Sequence, residues 1–252
     1  MKNRILPITK LFLLAIALII FDLLISGPIL RQLNLDKVLY LSLFKTTELA
    51  FGIIANLLFF HQRIYWKLNI GKKTISIASI IILILMLLSV SHSQRIPLSL
   101  LNGILAAIPE EYIFRGIVLT SLLTIFKDKL TTKNVLFCMI IASFLFSICH
   151  LENLRTHSLT LTLIQVIQSF GMGLMFCSLY VRKGSLAFPI FIHFTIDYSI
   201  SLFNSTANNP IDLIIGLVLP LTTYVVLAII VLRPFHLSNW NLINKNTLIS
   251  EL

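Results

Sequence analysis

The chain has few charged residues. Only 12% of its 252 residues are Asp, Glu, Lys or Arg, whereas 57% are hydrophobic. Soluble domains usually contain about 45–50% apolar and about 25% charged residues, so this composition excludes an ordinary water-soluble domain. Hydrophobic stretches of roughly 17–25 residues, long enough to cross a bilayer core of about 30 Å, recur along the whole chain. We therefore expect one membrane domain over residues 1–252, with the lipid bilayer as its main partner.

Acidic residues are scarcer than basic ones, ten against twenty, which gives a formal net charge of +10. The hydrophobic pattern predicts eight transmembrane helices, at residues 10–30, 39–61, 74–91, 98–126, 134–150, 159–181, 185–203 and 211–232. Lys and Arg accumulate in cytoplasmic loops. With the N-terminus inside, fourteen basic residues fall in inner segments and four in outer loops. The fold class is thus an all-α, multi-pass bundle with both termini cytoplasmic, expected in the plasma membrane.

The basic residues are dispersed among loops, so they form no surface for nucleic acid. Cysteine is also rare: Cys138, Cys149 and Cys177 lie within predicted helices and show no metal-ligand spacing. No internal repeat is visible. The C-terminal segment 236–252 is a polar tail, in which Trp240 is expected at the membrane interface.

Charged residues inside the predicted helices are few, because each costs about 2.5–3.5 kcal/mol at mid-bilayer and therefore needs a partner, a cavity or a role. They are Asp22, Lys45, Glu48, Glu110, Glu111, Arg115 and Asp197, joined by His150 and His193. Lys45 and Glu48 stand three residues apart, which predicts a structural ion pair. Asp22 is expected to accept hydrogen bonds from a neighbouring helix.

The segment "AAIPEEYIFRG" concentrates three of these charges. Glu111 and Arg115 are four residues apart and share a helix face, whereas Glu110 points about 100° away. We therefore expect Glu111 to be neutralised by Arg115 and Glu110 to remain unpaired. Pro109 cannot donate a backbone hydrogen bond, so the helix should bend or open there. Small residues one and two turns earlier, Gly103 among them, should let another helix approach closely.

Two later segments add histidines. "FSICH" places Phe146 and His150 one turn apart, and "HFTID" places His193 and Asp197 on one face. Glu110 lies seventeen residues before Lys127 and His150 seventeen after Lys133, so antiparallel helices would hold both at a similar depth.

Together, "EEYIFR", "FSICH" and "HFTID" resemble the CAAX-protease and bacteriocin-processing family of intramembrane endopeptidases, specifically type II CAAX prenyl endopeptidases. The family pattern is E-E-x-x-x-R, F-x-x-x-H, then H-x-x-x-N or a variant. The resemblance covers residues 98–205 and implies a glutamate-dependent peptidase. Glu110 and His150 would activate a water molecule. His193 and residue 197 would stabilise the oxyanion, with Glu111, Arg115 and Phe146 in support.

The resemblance implies no cofactor and a hydrophobic or lipid-associated peptide or protein substrate. Asp197 departs from the Asn of the pattern. An ionised carboxylate cannot donate a hydrogen bond, so either Asp197 is protonated, or it orients His193, or catalysis is impaired; we expect the second.

Three alternatives stay open. Zinc could bind Glu110, His150 and His193, although no H-E-x-x-H motif occurs. A proton-coupled transporter would also place acids and histidines at mid-depth. A bacteriocin self-immunity or other binding protein could reuse the peptidase scaffold. Nothing in the sequence distinguishes prenylated tails, leader peptides and membrane-protein fragments as substrates.

Overall fold

The computed structural model describes residues 2–66, 68, 70–203 and 210–244. Helix makes up 88% of it and no strand occurs in those ranges, so the predicted all-α class is confirmed. The α-helices are α1 (Lys2–Phe21), α2 (Gly27–Gln32), α3 (Lys37–Ala55), α4 (Lys72–Ser89), α5 (Ile96–Glu111), α6 (Thr120–Ile125), α7 (Thr132–Cys149), α8 (Leu159–Lys183), α9 (Ala187–Phe203), α10 (Pro210–Leu232) and α11 (Asn241–Asn244). Shorter 3₁₀ and π segments join several of them.

Six stretches of the described residues are long and apolar enough to cross a membrane: Pro7–Gln32, Lys37–Phe60, Lys72–Ile125, Thr132–Arg155, Leu159–Lys183 and Ile211–Leu232. A shorter apolar helix, Ala187–Phe203, follows the same pattern. The third stretch has 54 residues and contains two of the predicted helices. It is interrupted at His92, whose φ of −127° and ψ of 30° are not helical. The count of eight and the orientation stay predictions.

Local capping determines where the helices around the site begin and end. The side chains of Asp36, Thr131 and Ser158 accept backbone N–H groups in the first turns of α3, α7 and α8. These are the residue types that satisfy free N–H groups at a helix start. Helix α8 ends at Gly184, whose φ of 66° is readily adopted only by residues without a side chain.

The helix that carries "EEYIFR" changes its hydrogen-bonding pattern inside the motif. The α-helical pattern runs through Pro109 to Glu111 and then widens to a π-helix over Tyr112–Leu119. The Thr120 hydroxyl donates to the Arg115 carbonyl at 3.1 Å. The predicted opening therefore lies just after the two glutamates and not at the proline. Such π segments often accompany functional sites.

Close helix packing brings α9 against α5. A Cβ atom added to Gly103 would lie 2.8 Å from Phe194 Cδ2 and 2.9 Å from the Phe194 carbonyl oxygen. Only glycine leaves room for this approach, as the sequence predicted. The contact holds His193, one residue before Phe194, opposite the two glutamates of α5.

The C-terminal segment packs against the bundle. Trp240 is fully buried, and its indole N–H donates to the Leu232 carbonyl at 3.1 Å. The chain thus turns back after α10 and the buried indole finds a backbone acceptor, while the position of Trp240 relative to the membrane interface stays a prediction. The remainder of the predicted tail, residues 245–252, lies outside the described residues.

Candidate active site

A cavity of about 690 Å³ lies inside the bundle. Its walls come from α1, α3, α5 and α7 to α10, most of which are membrane-crossing candidates. All four residues with a predicted catalytic role, Glu110, His150, His193 and Asp197, line this cavity, as does Phe146. The structure thus brings three separate sequence motifs to one cavity, and the equal depth of Glu110 and His150 in the membrane stays a prediction.

Behind the cavity wall, Glu111 and Arg115 form the predicted ion pair. The Arg115 guanidinium donates to Glu111 Oε1 at 2.9 Å, and both side chains are fully buried. The guanidinium also donates to the Gly173 carbonyl at 3.3 Å and faces the rings of Phe146 and Phe176. Aromatic faces attract cations, so these rings partly compensate for the loss of water. The pair ties α5 to α7 and α8.

His193 connects this buried pair to the cavity. Its Nδ1 lies 2.9 Å from Glu111 Oε1 and its Nε2 lies 3.2 Å from Asp197 Oδ2. The ring stacks on Phe176 with centroids 4.7 Å apart. Carboxylates only accept hydrogen bonds, so an imidazole that serves both oxygens must donate from both nitrogens and is then positively charged. Asp197 was expected to orient His193. Glu111 also orients the ring, through its contact with Nδ1.

His150 is the first residue of the 3₁₀ turn His150–Arg155, directly after α7. Its Nδ1 lies 3.1 Å from the Phe146 carbonyl oxygen. A carbonyl only accepts, so Nδ1 carries the proton and Nε2 of the neutral ring is left as an acceptor. The Phe146 ring packs edge-on against the imidazole, with centroids 4.9 Å apart. The F-x-x-x-H spacing therefore determines both the tautomer and the ring position.

Glu110 is not unpaired, and that prediction is wrong. Its Oε1 accepts a hydrogen bond from Lys45 Nζ at 2.8 Å, while its Oε2 lies 3.7 Å from His193 Nε2. Lys45 also forms the predicted ion pair with Glu48, at 2.6 Å. The ammonium group of Lys45 therefore bridges two carboxylates. The contact was missed because α3 precedes the three motifs, and helix periodicity does not tell which helix the Lys45 face meets.

Further acidic residues of the cavity were also missed as site residues. Asp22, Glu48 and Glu152 line it together with Lys45. Asp22 was expected to accept hydrogen bonds from another helix. Its Oδ1 is instead buried without a hydrogen-bond partner among the described residues. The signal for Asp22 and Glu48 was present in the sequence, since both are acidic residues in the middle of predicted transmembrane helices.

The described part of the chain contains no group of three His, Cys, Asp or Glu side chains arranged to bind a metal ion. Glu110, His150 and His193 are the zinc ligands that the sequence suggested. In this structure the nitrogens of His193 already face Glu111 and Asp197, and Glu110 already binds Lys45.

Comparison with known proteins gives one finding. Residues 91–199 match the family model described as type II CAAX prenyl endopeptidase Rce1-like. No curated protein and no solved structure matches the chain. The matched segment contains the E-E-x-x-x-R, F-x-x-x-H and H-x-x-x-D motifs, and it does not point to the bacteriocin self-immunity branch.

Three observations support an intramembrane protease. Several helices can cross a membrane, a cavity lined by charged residues lies among them, and the family match covers the residues that carry the three motifs. Over residues 91–199 the chain is therefore similar to the Rce1-like family of type II CAAX prenyl endopeptidases, a similarity that supports the general class of a CAAX-type intramembrane protease.

Proposed function

We propose that this chain hydrolyses a peptide bond within the membrane, using a water molecule activated by Glu110 and His150. The observation that carries the proposal is that Glu110, His150, His193 and Asp197 all line one cavity of about 690 Å³. A cavity of this size accommodates an extended peptide segment together with water. Its position between membrane-crossing helices supports a substrate that arrives from the bilayer or its surface.

Glu110 and His150 are the two groups that accept protons. Water is a poor nucleophile, and a general base held against it contributes typically about 10²–10⁴-fold to the rate. Glu110 Oε2 forms no hydrogen bond shorter than 3.5 Å to a described residue, so it is the carboxylate oxygen that can receive a proton from water. His150 Nε2 offers a second acceptor on the same cavity, because its Nδ1 proton is committed to the Phe146 carbonyl.

His193 is the donor for the oxyanion. The charge that develops on the substrate carbonyl needs a hydrogen-bond donor, and removing one such donor from other hydrolases costs about 2.7–4 kcal/mol in the transition state. The His193 ring is fixed by Glu111 and by stacking on Phe176, so it is already oriented before substrate binds. Asp197 lies on the cavity wall at 3.2 Å from Nε2, so the oxyanion would share the Nε2–H group with this carboxylate.

The substrate is a hydrophobic or lipid-associated peptide or protein. The matched family supports a prenylated C-terminal tail, in which a lipidated cysteine is followed by three residues. Leader peptides and membrane-protein fragments fit the same cavity. We place the chain in the plasma membrane, and the fourteen basic residues assigned to inner segments support an orientation with both termini in the cytoplasm.

The test compares membrane peptides, by mass spectrometry, from cells that produce the wild-type chain or the Glu110→Gln variant. We expect a set of cleavage products that is absent in the variant.

Purified protein should cleave the matching peptide in EDTA and lose that activity in His150→Ala while remaining folded. Activity that returns only with zinc would favour the metal alternative. Protection from a peptide toxin that survives Glu110→Gln would favour an immunity role, and proton-driven flux without cleavage would favour transport.

A further inference from the structure

We infer that Lys45 is a positioning residue for the proposed general base: its ammonium group keeps Glu110 ionised and turned so that Oε2 faces the cavity. This inference rests on the proposed function. It concerns a residue outside the three motifs and outside the matched segment 91–199. Lys45 lies on α3, sixty-five residues before Glu110, yet its Nζ is only 2.8 Å from Glu110 Oε1.

The first step is the burial of these charges. The side chains of Lys45 and Glu110 expose only 18% and 13% of their surface, and Glu48 is buried. Moving a carboxylate out of water is costly unless a partner stabilises its charge. Among the described residues in direct contact with Glu110, Lys45 is the one cation whose charge does not change near neutral pH, as the charge of a histidine does. A carboxyl group can act as a base only when it is ionised, so Lys45 supplies a condition for catalysis.

The second step is orientation. A carboxylate rotates readily about its last bond unless its oxygens are held. Lys45 binds Oε1, which directs Oε2 towards the side of His193, at 3.7 Å from its Nε2. Glu48 binds the same ammonium group at 2.6 Å and lies on the same helix. Lys45 is therefore held by Glu48 and in turn holds Glu110.

The test measures turnover of a quenched peptide that ends in a farnesylated cysteine followed by three residues, and of the natural peptide identified by mass spectrometry. Lys45→Met should lower kcat at least about 10-fold with little change in KM, because it impairs a base that is worth about 10²–10⁴-fold without removing a substrate contact. Lys45→Arg should recover much of the loss, since it restores the charge. Lys37→Met, an exposed lysine on the same helix, is the matched control and should leave turnover unchanged.

A second readout does not depend on turnover. Infrared difference spectra between each background and its Glu110→Gln variant report whether Glu110 is ionised. We expect a carboxylate signal in the wild-type and Lys45→Arg backgrounds, and a protonated carboxyl signal in Lys45→Met. A purely structural lysine would not change this signal. A carboxylate signal that persists in Lys45→Met, or faster turnover in that variant, would overturn the inference.

Lys45→Met leaves two buried carboxylates without their cation and could fail to fold. The double variant Lys45→Met/Glu48→Gln removes one of those carboxylates and can be compared with Glu48→Gln alone, in which Lys45 still binds Glu110. We expect Glu48→Gln to lose less activity than the double variant. If the wild-type chain cleaves neither peptide, the proposed function fails, while the infrared comparison still decides whether Lys45 keeps Glu110 ionised.

Discussion

Two neighbouring glutamates sit in two different ion pairs. Glu111 pairs with Arg115 behind the cavity wall, where the two side chains expose 0% and 1% of their surface. Glu110 pairs with Lys45 at the wall itself, where the exposed fractions are 13% and 18%. The chemistry of the two pairs is alike, but only the second is accessible to water and to a peptide. Access to the cavity, and not charge alone, therefore separates a structural pair from one that can take part in hydrolysis.

The two pairs meet at one side chain. His193 Nδ1 binds Glu111, and His193 Nε2 faces Glu110 at 3.7 Å and Asp197 at 3.2 Å. The buried pair can thus transmit its fixed geometry to the cavity through a single imidazole. Substitutions in the cavity pair should therefore change activity most, whereas substitutions in the buried pair should change stability most.

Glu110→Gln should have the largest effect on activity. The amide keeps the size of the side chain but cannot accept a proton from water, so we expect kcat to fall about 10²–10⁴-fold. Stability should change little, because Lys45 retains Glu48 as its partner. Peptide turnover and thermal unfolding in detergent, measured on the same preparation, check the expected loss of activity and the expected unchanged stability. Normal turnover in this variant would remove Glu110 from the mechanism.

Arg115→Met, in contrast, should have its largest effect on stability. It leaves buried Glu111 with His193 alone opposite it among the described residues, and removing one partner of a buried pair typically destabilises a protein by about 3–5 kcal/mol. Methionine fills part of the space between Phe146 and Phe176, so the loss is mainly electrostatic. Unfolding in denaturant measures the change. The companion variant Glu111→Gln/Arg115→Met should regain part of the stability, because no uncompensated charge remains. Equal stability of the single and double variants would contradict the assignment.

Substitutions of Asp197, at the cavity wall, should change turnover less. If Asp197 orients His193, an amide oxygen can accept the same hydrogen bond, so Asp197→Asn should stay within about tenfold of wild-type turnover. Asp197→Ala removes the acceptor and should be slower than Asp197→Asn, with Glu111 still holding Nδ1. The ratio of the two turnover numbers is the measurement. Equal loss in both variants would show that the negative charge of Asp197 itself matters.

The sequence predicts the local part of this arrangement well. Helices predicted at residues 134–150, 159–181 and 185–203 correspond to Thr132–Cys149, Leu159–Lys183 and Ala187–Phe203. The Glu111–Arg115 and Lys45–Glu48 pairs are also found, because four- and three-residue spacings place side chains on one helix face. Hydrophobic length and helix periodicity act over short distances along the chain, and both can be read directly from the residues.

The contact of Lys45 with Glu110 could not be predicted in the same way. It joins α3 to α5 across sixty-five residues, and periodicity identifies the polar face of a helix without identifying the helix opposite. The burial of Trp240 was missed for a similar reason, since it depends on the chain turning back after α10. The position of the π segment after Glu111, and not at Pro109, depends on hydrogen bonds that later residues such as Thr120 complete.

The smallest predicted effect tests how closely α9 must approach the two pairs. In Gly103→Ala, the added methyl group would lie 2.8 Å from the Phe194 ring, so α9 must shift, at a cost of about 1–3 kcal/mol. The shift moves His193 relative to both glutamates, so turnover should fall along with stability. Gly216→Ala on α10 is the matched control. Its methyl group would meet no described atom within 4 Å, and alanine favours a helix over glycine by about 1 kcal/mol. A loss of turnover in Gly103→Ala that is absent in Gly216→Ala would show that the α5–α9 approach sets the geometry of the site.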